Sequence, residues 1–343
     1  MAIRVKTVLI GLLGLIVLGV LAVITAIGWQ VVLGPDARPV GDRRFEPSEA
    51  RLARGRYLVE GPAHCLHCHT EHDFTSPTAP IVQAKKGAGF AMPIPELNNI
   101  AARNITSDPE TGIGAWSDDE IARAIREGVR KDGTALFPIM PYPAYRNMDD
   151  EDLAAVIVYL RTLPPVRNVV PTRALPFPLE HIVKTIPEPL TEPRPSHPAG
   201  TAVERGEYLA AIAGCAECHT TRIEPAGAVP GMGYSGGNRF SVPGAGDLVS
   251  ANITPDASGI AHYDQALFMQ TLRTGLMGGR QLSPIMPFEF YRNMTDADLA
   301  DIFAYLRAQP PVKHRVNNVD PPTPCPLCQQ SHGLGNLNAA PQK

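Results

Sequence analysis

Charge of neither sign is in surplus: 31 Lys and Arg stand against 34 Asp and Glu, for a formal net charge of −3. A nucleic-acid partner would call for a clustered basic face, so none is expected. Also missing is any strand–helix–strand alternation around the cysteine pairs, which argues against a thioredoxin-like redox motif. Self-similarity at a short period is lacking too, which excludes a solenoid. Long helices have little room, because 35 Pro and 30 Gly impose a heavy loop load. With 343 residues, 44% of them hydrophobic, the chain can build two modest domains of a few short helices each. Cofactors would then have to fill much of each core.

Two pentapeptides supply the cofactor signal. Cys65-Leu66-His67-Cys68-His69 and Cys215-Ala216-Glu217-Cys218-His219 share the C-x-x-C-H spacing of a c-type haem attachment site and lie 150 residues apart. Two thiols one helical turn apart can add to the two vinyl groups of one haem, and the adjacent histidine then meets the iron. A zinc site would need four ligands per motif, and a disulfide would not explain the adjacent histidine. Two covalently attached haem c groups are expected, with His69 and His219 as proximal ligands.

Thr7 to Gly34 carries no charged side chain and follows Arg4 and Lys6. That covers the ~20 apolar residues of a membrane span and exceeds the ~7–15 of a signal-peptide core. Ala26-Ile27-Gly28 is only a weak cleavage site, so an uncleaved anchor is expected, with Arg4 and Lys6 in the cytoplasm and Trp29 at the outer interface. A polar spacer follows.

A duplication then organises the chain. Arg54-Gly55-Arg56-Tyr57-Leu58 recurs as Arg205-Gly206-Glu207-Tyr208-Leu209, Asn104-Ile105-Thr106 as Asn252-Ile253-Thr254, and Ile139-Met140-Pro141 as Ile285-Met286-Pro287. The offset drifts from 151 to 146, as expected for two copies that differ by small loop deletions. Each copy closes with a capped helix. Asp149 precedes Leu153, Val156, Ile157 and Leu160 at helical spacing, and Thr295-Asp296-Ala297-Asp298 reads as a capping box before Leu299, Ile302, Phe303 and Leu306. Paired prolines, Pro164-Pro165 and Pro310-Pro311, stop them. Middle helices are predicted from Ser117 and Asp264. Between the copies, ten prolines within residues 164–198 make a semi-rigid connector.

The chain resembles the dihaem class I cytochromes c, in particular the membrane-anchored cytochrome c subunits of periplasmic alcohol- and gluconate-type dehydrogenases. The resemblance covers about residues 48–316. It rests on Cys65-x-x-Cys68-His69, Asn104-Ile105-Thr106, the run Thr111 to Ser117, Met140-Pro141-Tyr142, and Asp150 to Leu153 with Tyr159-Leu160-Arg161, together with their second-copy counterparts. It implies an all-α fold of two tandem class I domains after an N-terminal transmembrane helix. The layout read from the sequence is 1–34 cytoplasmic end and anchor, 35–47 spacer, 48–168 first domain, 169–199 linker, 200–316 second domain and 317–343 tail. The resemblance also implies that first and last helices cross at Gly55 with Tyr159 and at Gly206 with Tyr305, and that haem attachment places the domains outside the bacterial cytoplasmic membrane.

The distal ligands must come from elsewhere. Met140 and Met286 are equivalent, precede prolines and sit where a class I cytochrome presents its thioether; Met148 and Met294 are the rivals, preferred as packing residues. Pro80 and Pro230 are expected carriers of the carbonyl that meets each proximal imidazole, with ordinary turn prolines as the alternative. His64, His67 and His72 have no twins and read as solvated or near a propionate. Arg146 and Arg292 read as propionate partners or helix caps. Trp116 aligns with Tyr263, so the two pockets differ. In the tail, Cys325 and Cys328 lack the following histidine of a third haem motif. A local disulfide is expected, with a small metal site including His332 as the alternative.

A His/Met pair leaves iron no open position, which favours single-electron transfer over catalysis. The expected role is a relay between a periplasmic dehydrogenase or quinol-oxidising respiratory complex and a downstream acceptor such as a terminal oxidase. The alternative is a dihaem enzyme, a peroxidase or thiosulfate-oxidising cytochrome, with one exchangeable ligand.

Overall fold

The computed structural model describes residues 11–339 apart from 12, 21–23, 26, 27, 77, 93, 196–199, 224–226 and 243–245. Ten helices carry the duplication. In the first unit they are α1 (Glu49–Glu60), α2 (Cys65–Cys68), α3 (Asp118–Glu127), α4 (Tyr142–Tyr145) and α5 (Asp150–Leu160). In the second they are α6 (Ala202–Ile212), α7 (Cys215–His219), α8 (Gln265–Thr274), α9 (Phe288–Tyr291) and α10 (Asp296–Arg307).

The predicted caps are present. Ser117 forms a full capping box with Glu120, and Asp149 and Asp264 accept from the third-residue amides of their helices. Thr295 makes only the forward bond, accepting from the Asp298 amide. Asp298 is instead engaged by Tyr57, so the predicted box there reduces to a single cap.

In each unit the first and last helices cross on a glycine. A Cβ on Gly55 would lie 1.9 Å from the Ala155 carbonyl oxygen and 2.7 Å from Tyr159 Cβ. On Gly206 it would lie 1.9 Å from the Asp301 oxygen and 2.8 Å from Tyr305 Cβ. Only a residue without a side chain admits that approach, as expected. Around these crossings lie buried Leu58, Leu153 and Ile157 in the first unit and Leu209, Leu299 and Ile302 in the second.

The fold is largely helical rather than all-α: the described strands pair as small two-stranded sheets. Two matter here. β1 (Arg239–Val242) pairs antiparallel with β2 (Gly246–Val249), and in the tail β3 (Asn317–Pro324) pairs with β4 (Ser331–Gly333). Asn318 clamps the tail to β2, exchanging bonds of 2.8 and 2.9 Å with the Val249 amide and carbonyl.

The expected transmembrane helix is not present among the described residues, where no helix is long and apolar enough to cross a membrane. Part of the run 7–34, with Arg4 and Lys6 before it and Ala26-Ile27 of the weak cleavage site, lies outside the described residues. Gly28 and Gly34 adopt φ of 89° and 107°, which no helix continues, and they isolate Trp29–Leu33 as a short helix of its own. Val31 is tied at its carbonyl to Lys184 Nζ, 3.2 Å away.

Spacer and connector are both docked. Arg38 bonds Asp119 through two nitrogens at 2.7 and 2.8 Å and Glu127 at 2.9 Å. The Gly41 amide meets Asp119, and the Phe45 amide meets Asp118. Burial works to raise the Asp119 carboxyl, but Arg38 and the Gly41 amide outweigh it and hold the group below the usual carboxylate range. The connector runs back over the same unit, where the Asp150 amide donates to the Arg194 carbonyl at 2.8 Å and the Arg194 amide donates to the Asp150 carboxylate at 3.0 Å. Arg146 bonds the Glu188 and Pro189 carbonyls, so it ties down the connector and does not cap α5.

Candidate functional site: two facing attachment turns

The two motifs form short helical turns, α2 and α7, each entered through a residue in the left-handed region, His64 (φ 36°) and Gly214 (φ 65°). Glycine takes that conformation without strain, and histidine is among the residues that pay more for it. A buried tyrosine braces each turn from behind. Tyr145 donates to the Ala63 carbonyl at 2.6 Å and Tyr291 to the Ala213 carbonyl at 2.5 Å. Burial raises both phenols well above their ordinary value, so both remain donors.

Each motif histidine is oriented by a backbone carbonyl. His69 Nδ1 lies 2.6 Å from the Arg103 oxygen and His219 Nδ1 2.7 Å from the Ala251 oxygen. A carbonyl only accepts, so Nδ1 carries the proton and Nε2 keeps its lone pair for a metal. Burial lowers both imidazoles below their usual range, which also favours the neutral ligand form. The carriers are therefore Arg103 and Ala251, not Pro80 and Pro230. Pro80 instead accepts from the Asp73 amide at 2.9 Å, an ordinary turn bond. The sequence held the right signal, since both true carriers immediately precede the repeated Asn-Ile-Thr. That tripeptide is rigid: Asn104 Oδ1 accepts from Thr106 N and Oγ1, and Asn252 does the same for Thr254.

Above the first motif opens a cavity of about 1430 Å³, larger than the ~300–1,000 Å³ of drug-sized ligand pockets. Cys65, Cys68, His69, Trp116 and Met140 line it. It is the space a bulky apolar macrocycle needs, and the donor set at its floor is that of a c-type haem. Both cysteines are unbridged, and burial pushes their thiols up to about 12 for Cys65 and about 11 for Cys68. Conversion to thioethers removes that buried titration altogether. Met140 and Met286 are both half-buried at their sites, while Met148 and Met294 are 1% and 2% exposed within the cores.

The two sites meet. Phe240, Cys218, Ile285 and Tyr291 of the second unit also line the cavity over the first motif. The interface is reciprocal. Tyr57 donates to Asp298 and accepts from the Thr295 amide at 3.3 Å, while its twin Tyr208 donates to Asp152 at 2.7 Å and accepts from the Asp149 amide at 3.2 Å. Two copies of one contact, exchanged, relate the units by a pseudo-twofold. His64 and His67 are half-buried at this seam and His72 packs within the first unit, and all three also line the cavity. His64 packs edge-on to Tyr291 with centroids 5.5 Å apart, and His67 does the same to Phe290 at 5.9 Å. His72 stands 4.9 Å from His67, with both ring nitrogens 2.6 Å from carbonyl oxygens.

Tandem helical units that each present a C-x-x-C-H turn and a carbonyl-oriented histidine, with a haem-sized cavity over the first and the second motif's Cys218 on its wall, define a dihaem c-type protein. The cytochrome c family model matches residues 52–164 and 203–310, and the chain belongs to that family. Among its relatives, one of the subunits of the nicotinate dehydrogenase of Pseudomonas putida is 35% identical over 60% of this chain and 16% of its own length. The fructose dehydrogenase cytochrome subunit of Gluconobacter japonicus is 32% identical over 80% of this chain and 56% of its own length. A dihaem cytochrome c of Cereibacter sphaeroides is 26% identical over 73% of this chain and 83% of its own length. The chain thus spans about a sixth and about half of the two dehydrogenase subunits. It is a dihaem cytochrome c with two covalently bound haem c groups.

Proposed function

We propose that this dihaem cytochrome is the electron-transfer subunit of a dehydrogenase outside the cytoplasm, passing single electrons from that enzyme or a quinol-oxidising complex to a downstream acceptor such as a terminal oxidase. Two relatives are named as dehydrogenase subunits, and they differ in substrate, nicotinate and fructose, which fits a subunit that handles electrons and leaves the substrate to its partner. In this reading residues 48–168 and 200–316 are the two haem domains, 169–199 the linker and 317–343 the tail. Residues 7–34 anchor the chain in the cytoplasmic membrane, supported by their uncharged composition.

The observation that carries the carrier reading is the placing of Met140 on the cavity that His69 also lines, with Met286 its half-buried twin. With haem bound, His69 and Met140 would hold the first iron and His219 and Met286 the second. Cys65, Cys68, Cys215 and Cys218 hold the porphyrins. When bound, each haem supplies one-electron chemistry, and a closed His/Met set stabilises the ferrous form. Apolar side chains such as Ile105, Ile121, Ile125 and Leu160 line the cavity over the first motif, and the Arg103 and Ala251 carbonyls orient the imidazoles.

Replacing Met140 by Ala should lower the potential of one haem, and Met286→Ala that of the other, read by spectroelectrochemistry. Unchanged potentials in both variants would move the assignment to Met148 and Met294. A native ferric haem that is high spin, or that binds peroxide rapidly, would favour the dihaem enzyme instead.

A further inference from the structure

Behind the second haem site, outside the electron-transfer machinery, four metal-type ligands converge. His314 follows α10, Cys325 and Cys328 flank the turn of the β3–β4 hairpin, and His332 lies on β4. All four are buried, at 0%, 3%, 0% and 2% exposure, and one donor atom from each lies within 4.8 Å of the other three. His314 Nε2 is 3.4 Å from Cys325 Sγ, and His332 Nε2 is 3.4 Å from Cys328 Sγ. A tetrahedral ion with bonds of about 2.3 Å to sulfur and about 2.0 Å to nitrogen would set such atoms about 3.5 Å apart.

The outer contacts fit as well. His314 Nδ1 lies 2.9 Å from the Ser235 carbonyl and His332 Nδ1 2.9 Å from the Gly333 carbonyl. Each ring therefore donates outward and turns its Nε2 lone pair toward the sulfurs. Asn338 Nδ2 reaches Cys325 Sγ at 3.4 Å, a contact suited to a thiolate. The two cysteines are unbridged. The disulfide expected from their spacing would use both sulfurs but leave two fully buried imidazole nitrogens without a partner, which buried polar groups avoid.

We propose that His314, Cys325, Cys328 and His332 bind one structural Zn²⁺. Two thiolates and two imidazoles in a tetrahedron select zinc, and four protein donors leave no position for water or substrate. The ion fastens the tail to the loop behind the second haem. Gly237, whose added Cβ would lie 2.6 Å from His314 Cε1 and 3.2 Å from Cys328 Sγ, packs directly on the cluster. Its neighbour Gly236 donates its amide to the His219 carbonyl at 2.6 Å. The first unit solves the same problem without metal: Asn168, the counterpart of His314, bonds the Ala88 and Gly89 carbonyls at 2.9 and 3.1 Å.

The test is metal analysis of the full-length haem-loaded protein, purified without chelator, by plasma mass spectrometry and zinc-edge X-ray absorption. One zinc per two irons, with a shell of two sulfurs and two nitrogens, is expected. His314→Asn, which imports the first unit's solution, and Cys325→Ser with Cys328→Ser should each lose the zinc and keep both haems. Absence of zinc from the wild type together with a Cys325–Cys328 disulfide in its peptide map would overturn the proposal, as would undiminished zinc in the cysteine variant. Should either variant fail to accumulate, the wild-type stoichiometry and absorption edge decide.

Discussion

The two halves of this chain agree wherever a haem must be gripped and differ wherever each half is supported from outside. Glycine crossing, tyrosine brace, carbonyl behind the imidazole and Asn-x-Thr knot occur twice with near-identical distances. Support does not repeat. The first unit is held by the spacer, through Arg38 on Asp119 and Glu127, and by the connector, through Arg194 and Arg146. The second unit is held by the tail, through Asn318 and the His314 cluster. A duplicated scaffold has thus acquired different buttresses while the contacts that shape each attachment turn and orient its histidine stayed the same.

That contrast can be broken most severely at Arg38. Arg38→Met would leave the Glu127 carboxylate, 2% exposed, without its cation, and the Asp119 carboxylate, 1% exposed, with only Arg43, 3.6 Å away. A loss of about 3–5 kcal/mol is expected in the first unit alone, seen as a lower first transition in calorimetry with the second unmoved. The pH dependence has a definite sign. Asp119 is depressed in the folded wild type, so its contribution is present above its ordinary value of 3.8 and is lost as pH falls through the lower folded value. The variant should lack that acid-sensitive component.

A smaller effect tests the pseudo-twofold. Tyr208→Phe and Tyr57→Phe remove twin hydrogen bonds to carboxylates, worth about 1.5–3 kcal/mol when buried. Tyr208 is 9% exposed and its Asp152 partner 5%, so its loss should exceed that of the more open Tyr57. Equal losses in chemical denaturation would mean the interface is more symmetric than its burial. The smallest effect is at the pockets themselves. Trp116→Tyr copies Tyr263 into the first site and should narrow the gap between the two haem potentials; a widened gap would separate that residue from the difference.

What the sequence made legible was local: the attachment motifs, the caps at Ser117, Asp149 and Asp264, and the repeat that pairs Gly55 with Gly206. These depend on spacing along one helix or turn. The readings that failed depend on contacts distant in the chain. For His64 and His67 only the solvated half of the reading fails, because their cover, Tyr291 and Phe290, comes from the other unit; both line the cavity, as neighbours of a propionate would. Pro80 and Pro230 were plausible by proximity, yet the carbonyls come from Arg103 and Ala251, more than 30 residues beyond each histidine. Cys325, Cys328 and His332 stood out, but His314 did not, because its counterpart is Asn168 and no twin marked it. The uncharged run 7–34 was legible as composition alone.

Spectroelectrochemical titration of the full-length protein, followed by the spin state of its ferric form, tests the relay most directly. Two one-electron steps of equal amplitude, accounting for all the iron, with both ferric haems low spin, are the expected result. A single step covering half of the iron, or one high-spin haem that takes up peroxide, would contradict a two-site electron carrier.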